Sequence, residues 1–385
     1  MSSSTRRSAF ASLAWFSVTA FAVALAPACS DSGGAAPAGS SAGRAGAGTA
    51  NAGTSGMPST ASGGGGQSSG ASGTGGAAGD SSVGGAGAPE SGVLTLFWLD
   101  VGGTVLTSRA DPFQKTTLVS SAGDGPDGIA VDVAGGHVFW TNMGNTAADD
   151  GYIRRANLDG SGVTTIVPAG GTFTPKQMKL EPVEQKLYWS DREGMRVQRA
   201  GIDGSEVETL YTAAKGDVAR EDLSNHCVGV AVDLAGGFFY WSQKGPDNGH
   251  VGSLRRAHLV MPAGENDENR SDVEILYDAL PEPIDIDLDL SQGMIYWTDR
   301  GDDTINRGPI ELPSGSTATT RTDREIIVPG VSEAIGVGLD LARGLVYYTG
   351  AKGQVGRAHL DGSAAEYLMT TGGAFTGIQL VELPR

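Results

Sequence analysis

Six short aromatic strings constrain this chain more than any other feature: FWLD at 97–100, FWTN at 139–142, YWSD at 188–191, YWSQ at 240–243, YWTD at 296–299 and YYTG at 347–350. Their starts differ by 42, 49, 52, 56 and 51 residues. That period matches one four-stranded propeller blade and not a helical solenoid repeat. A single such string would mean little, but six at blade spacing make a fold argument.

Each string sits inside a larger unit, as in GIAVDVAGGHVFWTN, GYIRRANLDGSG and VTTIV over residues 128–167. The pieces are short, apolar and β-branched, and Gly or Asp-Gly turns separate them. The pattern returns as QMKLEPVEQKLYWSD, as IDIDLDLSQGMIYWTD and as GVGLDLARGLVYYTG. It predicts four antiparallel strands per unit, and no helical periodicity of useful length interrupts it. The first unit, LTLFWLD at 94–100, lacks an opening strand, whereas TGIQLVELPR at 376–385 is an opening strand with no unit of its own. Pairing the two closes a ring and removes the open edge between first and last blade.

On these motifs, residues 94–385 resemble the six-bladed YWTD β-propeller of the low-density lipoprotein receptor family and of nidogen. The resemblance implies an all-β fold of six four-stranded antiparallel blades, closed by N- and C-terminal strands. The cysteine-rich EGF modules that accompany this propeller in animal receptors are absent, so receptor biology does not carry over.

Successive side chains of a strand point to opposite faces, so adjacent Tyr and Trp fill both faces of one blade. Core packing therefore accounts for Trp98, Trp140, Trp189, Trp241 and Trp297. Each ring buries roughly 150–250 Å², and truncating one to Ala would cost on the order of 3–5 kcal/mol. The carboxylate that follows reads Asp100, Asn142, Asp191, Gln243, Asp299 and Gly350 across the units. A catalytic or metal-binding ring would be broken at three of these places. A strand-end cap accepts Asn readily and tolerates the others at some cost. Asp132, Asp233, Asp289 and Asp340, at another strand end, receive the same structural reading.

Function then belongs where the repeats differ. The resemblance implies that the loops entering each innermost strand gather with those after the YWTD strand around a central channel. The entering positions read Asp127, Lys176, His226, Glu282, Glu333 and Thr376. The first five are candidate ligand-binding residues at the channel mouth. Asp127, Glu282 and Glu333 could alternatively supply oxygen ligands to calcium, as in lactonase-type six-bladed propellers, with His226 as a general base. The plainest reading makes all of them solvated loop residues. Acidic loops at 143–151, 243–250 and 300–304, and insertions at 261–272 and 311–324, are either recognition surface or tolerated excursions.

No phosphate-cradling motif, HExxH, paired CxxC or GxSxG is present. The expectation is a binding module for a protein, peptide or glycan ligand with no chemistry of its own and no cofactor; a calcium-dependent hydrolase or lactonase is the alternative. The propeller is expected to be a monomer.

The N-terminus adds an address. Arg6 and Arg7, an uncharged apolar run from Ala9 to Leu25 and a small-residue ending at Cys29 read as an export signal over residues 1–28. The ending resembles a bacterial lipobox with Cys29 lipidated, although Ala26 stands where that motif usually has Leu. Residues 29–91, nearly all Gly, Ala, Ser and Thr, cannot bury enough surface to order themselves and read as a tether of roughly 45 Å r.m.s. span. The expected location is the bacterial cell envelope, lipid-anchored, or the exterior. The signal and tether carry balanced charge, so the formal −17 of the chain falls on residues 92–385. That acidity argues against nucleic-acid partners. Cys227, in an apolar segment, reads as a small core residue.

Overall fold

The computed structural model describes residues 92–385. The signal, the lipidation at Cys29 and the tether lie outside the described residues. Six four-stranded antiparallel sheets make up the propeller. Blades are numbered by their aromatic strings. Their inner strands are Phe375–Leu383 for blade 1, then Pro126–Asp132, Pro175–Glu181, Cys227–Asp233, Pro283–Asp289 and Ala334–Asp340 for blades 2 to 6. Each inner strand contacts the next around the ring. Closure is as the sequence implies: the C-terminal strand pairs with Val93–Asp100, Leu383 opposite Val93 and Ile378 opposite Trp98.

The paired aromatics divide their work by blade face. Trp140 packs in the cluster shared by blades 1 and 2, whereas Phe139 packs in the one shared by blades 2 and 3. Trp189 and Tyr188 divide in the same way, as do Trp241 and Tyr240. All five tryptophans of the strings are fully buried. The period-2 geometry of a strand thus joins every blade to both neighbours.

The residue after the tryptophan supplies a polar staple that the aromatic pattern conceals. Thr141 Oγ1 accepts from Gly128 N (2.7 Å) in its own blade and donates to Lys176 O (2.9 Å) in the next. Ser242 accepts from Gly229 N and donates to Ile284 O, and Thr298 accepts from Asp285 N and donates to Ile335 O. Blade 1 carries Leu99 there, and Thr376 Oγ1 donates instead to Pro126 O (3.0 Å). Glycine on the inner strand permits this approach: a Cβ at Gly128 would lie 2.3 Å from Lys176 O. Buried backbone groups between blades are satisfied in this way without water.

Strand-end acids hold turns. Asp132 accepts from Gly135 N at 2.8 Å and Asp233 from Gly236 N at 2.7 Å. Asp191 accepts from Phe173 N and Thr174 N, and Asp299 from Glu282 N and Gly301 N. The two insertions are clamps and not excursions. Arg270 donates to Leu210 O of the preceding blade, Arg321 to Leu276 O, and each guanidinium lies over a buried ring, Phe239 or Tyr277. Cys227 is buried with its thiol pushed well up by desolvation, as a core residue should be.

Candidate functional site: the channel mouth

The upper face, where second strands end and inner strands begin, gathers the candidate residues in two registers instead of one ring. Pro126, Pro175, Cys227, Pro283, Ala334 and Phe375 pair with the last residues of the six aromatic strings. Asp127, Lys176 and Thr376 therefore stand one residue inside that line, where the other blades have Val228, Ile284 and Ile335. His226, Glu282 and Glu333 stand one residue outside it. Val228, Ile284 and Ile335 make a small apolar cluster on one side of the channel. A β-bulge lies just inside the line in all six blades, so the offset comes from the residues that occupy the positions and not from the backbone.

Four of these five candidates are buried, not solvated. Lys176 Nζ reaches Asp127 Oδ2 at 2.5 Å, and Gln177 Nε2 takes the other oxygen at 2.9 Å. Burial pushes the Lys176 ammonium down, with Asp127 opposing. Glu282, with no exposed surface, receives Lys244 Nζ at 2.5 Å and Arg300 Nη2 at 2.6 Å and Nε at 2.9 Å. Glu333 is partly exposed and faces Arg300 and Lys352, each at 3.8 Å. His226 holds a lid: Nε2 donates to Arg220 O (3.0 Å) at the end of the single-turn helix Asp217–Arg220, and burial pushes the imidazole down toward its neutral form. Arg220 in turn donates to Glu193 O and lies over Phe173.

Beyond Lys176, three further cations belong to this face. Arg192, Lys244 and Arg300 occupy one repeat column, immediately after the aromatic strings of blades 3, 4 and 5. Arg192 grips Glu193, and although burial would raise that carboxyl, the guanidinium holds it below its usual range. A charge belt lines this face in three parts: the pair Asp127–Lys176, the pair Arg192–Glu193, and the alternating series Lys244, Glu282, Arg300, Glu333 and Lys352. A calcium ion would have to displace these ammonium and guanidinium groups, so the donor set does not fit one. Among the described residues no three His, Cys, Asp or Glu side chains come together as a metal site.

Closed ring, paired aromatics and loop-bearing mouth define a six-bladed YWTD-type propeller. The low-density lipoprotein receptor-related protein 1 of Pyricularia oryzae is 40% identical over 290 residues, covering 72% of this chain and 92% of its own length. The chain belongs to that family of low-density lipoprotein receptor-related proteins. A second relative, the 3-hydroxyacyl-CoA dehydrogenase-like protein LAM1 of Cochliobolus heterostrophus, is 34% identical over 265 residues, covering 66% of this chain and 56% of its own length. That a relative carries a dehydrogenase-like name overturns the expectation of a module with no chemistry of its own. Among solved structures, the nidogen/laminin complex superposes with a TM-score of 0.58 at 18% identity, covering 76% of this chain and all of the matched one, which shows the fold. No family model matches the chain.

Proposed function

We propose that this propeller is an exported, tethered module that binds a protein ligand over its channel mouth. The observation that carries the reading is the charge belt: the buried acids Asp127 and Glu282 are locked to cations, and Arg300, Glu333 and Lys352 carry the series out to the exposed upper surface. Arg300 keeps 32% of its side-chain surface and Lys352 keeps 56%. Such a surface is pre-organised, so docking loses little side-chain freedom, and its alternating charge favours one orientation of a partner. The solved nidogen propeller stands in a complex with a protein, laminin. Gly92 and the end of the C-terminal strand lie on the lower face, opposite the mouth, so the entry of the chain into the propeller leaves the mouth clear.

Affinity capture from the cell envelope, with the full chain as bait, tests this reading. The parent should retain a partner that the double charge reversal Glu333→Lys/Lys352→Glu loses, while Leu290→Asp on the lower face retains it. Equal capture by parent and double reversal would overturn the assignment of the mouth.

A further inference from the structure

One blade junction differs from the other five. The residue after each third strand donates its N–H across to the start of the second strand: Leu158 to Gly136 O, Ile202 to Gln185 O, Leu259 to Gly237 O, Ile310 to Gly293 O and Leu360 to Gly344 O. In every one of these blades the Leu or Ile side chain packs into the cluster shared with the preceding blade. In blade 1 the same bond runs from Ala110 N to Leu94 O. Alanine lacks the three carbons that fill the wedge elsewhere.

Beside Ala110, between blades 6 and 1 on the lower face, the described residues leave a half-open cavity of about 690 Å³, which the smaller side chain widens. It is within the usual size range of small-molecule sites, roughly 300–1,000 Å³. Its floor is apolar, made by Val93, Leu94, Leu345 and Leu383 with the Tyr347 ring. Its rim carries three arginines, Arg109, Arg343 and Arg357, against one acidic side chain, Asp111, and the chain end Pro384-Arg385 completes it. Arg343 is engaged by Asp340 and Glu382, and Arg357 by Glu366. Arg109 is exposed and its side chain has no hydrogen bond or ion pair among the described residues.

We propose that this wedge is a binding site for a medium-length alkyl carboxylate, its chain on the apolar floor and its carboxylate at Arg109. The site is independent of the channel mouth and on the opposite face. An apolar void beside an unengaged guanidinium suits a ligand that has both an apolar body and a single anionic head.

Calorimetry on the full chain with decanoate, below its micelle concentration, and with decanol as the uncharged control, tests the site. The expected result is one saturable decanoate site. Ala110→Leu, which restores the residue of the sister blades, should weaken binding at least tenfold without lowering the melting temperature. Arg109→Ala should weaken decanoate about tenfold and leave decanol unchanged, as loss of one charge-assisted contact implies. Three results would overturn the proposal: no saturable site in the parent, unchanged decanoate binding in folded Ala110→Leu, or decanol binding as tightly as decanoate. Should Ala110→Leu fail to fold, Arg109→Glu at the exposed rim decides, because unchanged decanoate affinity there excludes the assigned head-group contact.

Discussion

Replacing Glu282 by Gln keeps the shape of the channel mouth and removes the charge that two cations share. Glu282 has no exposed surface, Lys244 keeps only 10% of its side-chain surface, and Arg300 keeps 32%. Removing one partner of a buried ion pair leaves an uncompensated charge and costs about 3–5 kcal/mol. Arg300 can turn partly to solvent, so the lower end, about 3 kcal/mol, is expected. In a domain of this size each kcal/mol lowers the midpoint by about 2–4 °C, so the variant should melt about 6–12 °C lower at pH 7. The deficit should also depend on pH. Burial already pushes the Lys244 ammonium down, with Glu282 opposing. Without Glu282 the native state sheds that proton while the unfolded state keeps it, so stability rises with pH toward the ordinary lysine pKa of about 10.4. Thermal melts of parent, Glu282→Gln and Glu282→Gln/Lys244→Met at pH 6 to 9 read both effects. The double variant should recover part of the loss, because the more deeply buried Lys244 charge is gone, while Arg300 keeps its charge beside the neutral amide and turns partly to solvent. A single variant within 1 °C of the parent at every pH would refute the ion-pair account of the mouth.

Asp299, pushed up to about 7 by burial and by nearby Asp302, binds its proton more tightly in the native than in the unfolded state. Its contribution to stability is therefore lost as pH rises from about 4 to 7, and Asp299→Asn should flatten that slope in pH-dependent melts, leaving the share of Asp285, and melt a few degrees higher at pH 8. Thr298→Val should lower stability by about 2–4 kcal/mol in urea unfolding, because Asp285 N and Ile335 O both lose their buried partner.

The fold was legible because it is written six times. Trp189 and Tyr188 announce a strand whose two faces are both covered, and the orphan strand at 376–385 announces closure. The site was less legible, because a lateral hydrogen bond carries no periodicity of its own. Thr298 looked like a spacer between Trp297 and Asp299, yet it joins blade 5 to blade 6. Lys244 and Arg300 lie in the loops at 243–250 and 300–304, but nothing in the sequence shows that both reach Glu282. Blades 4, 5 and 6 carry Val228, Ile284 and Ile335 where Asp127 and Lys176 stand, so their first polar side chains, His226, Glu282 and Glu333, lie two residues earlier. Insertion length alone could not show that Arg270 and Arg321 are buried clamps.

Amide hydrogen exchange on the full chain, free and with its captured partner, tests the central claim most directly. Binding at the mouth should slow exchange in the upper loops at 143–151, 243–250 and 300–304 and in the lid at 217–226, with the lower turns at 182–185 and 290–293 unchanged. Protection confined to those lower turns, with the upper loops unaffected, would contradict it.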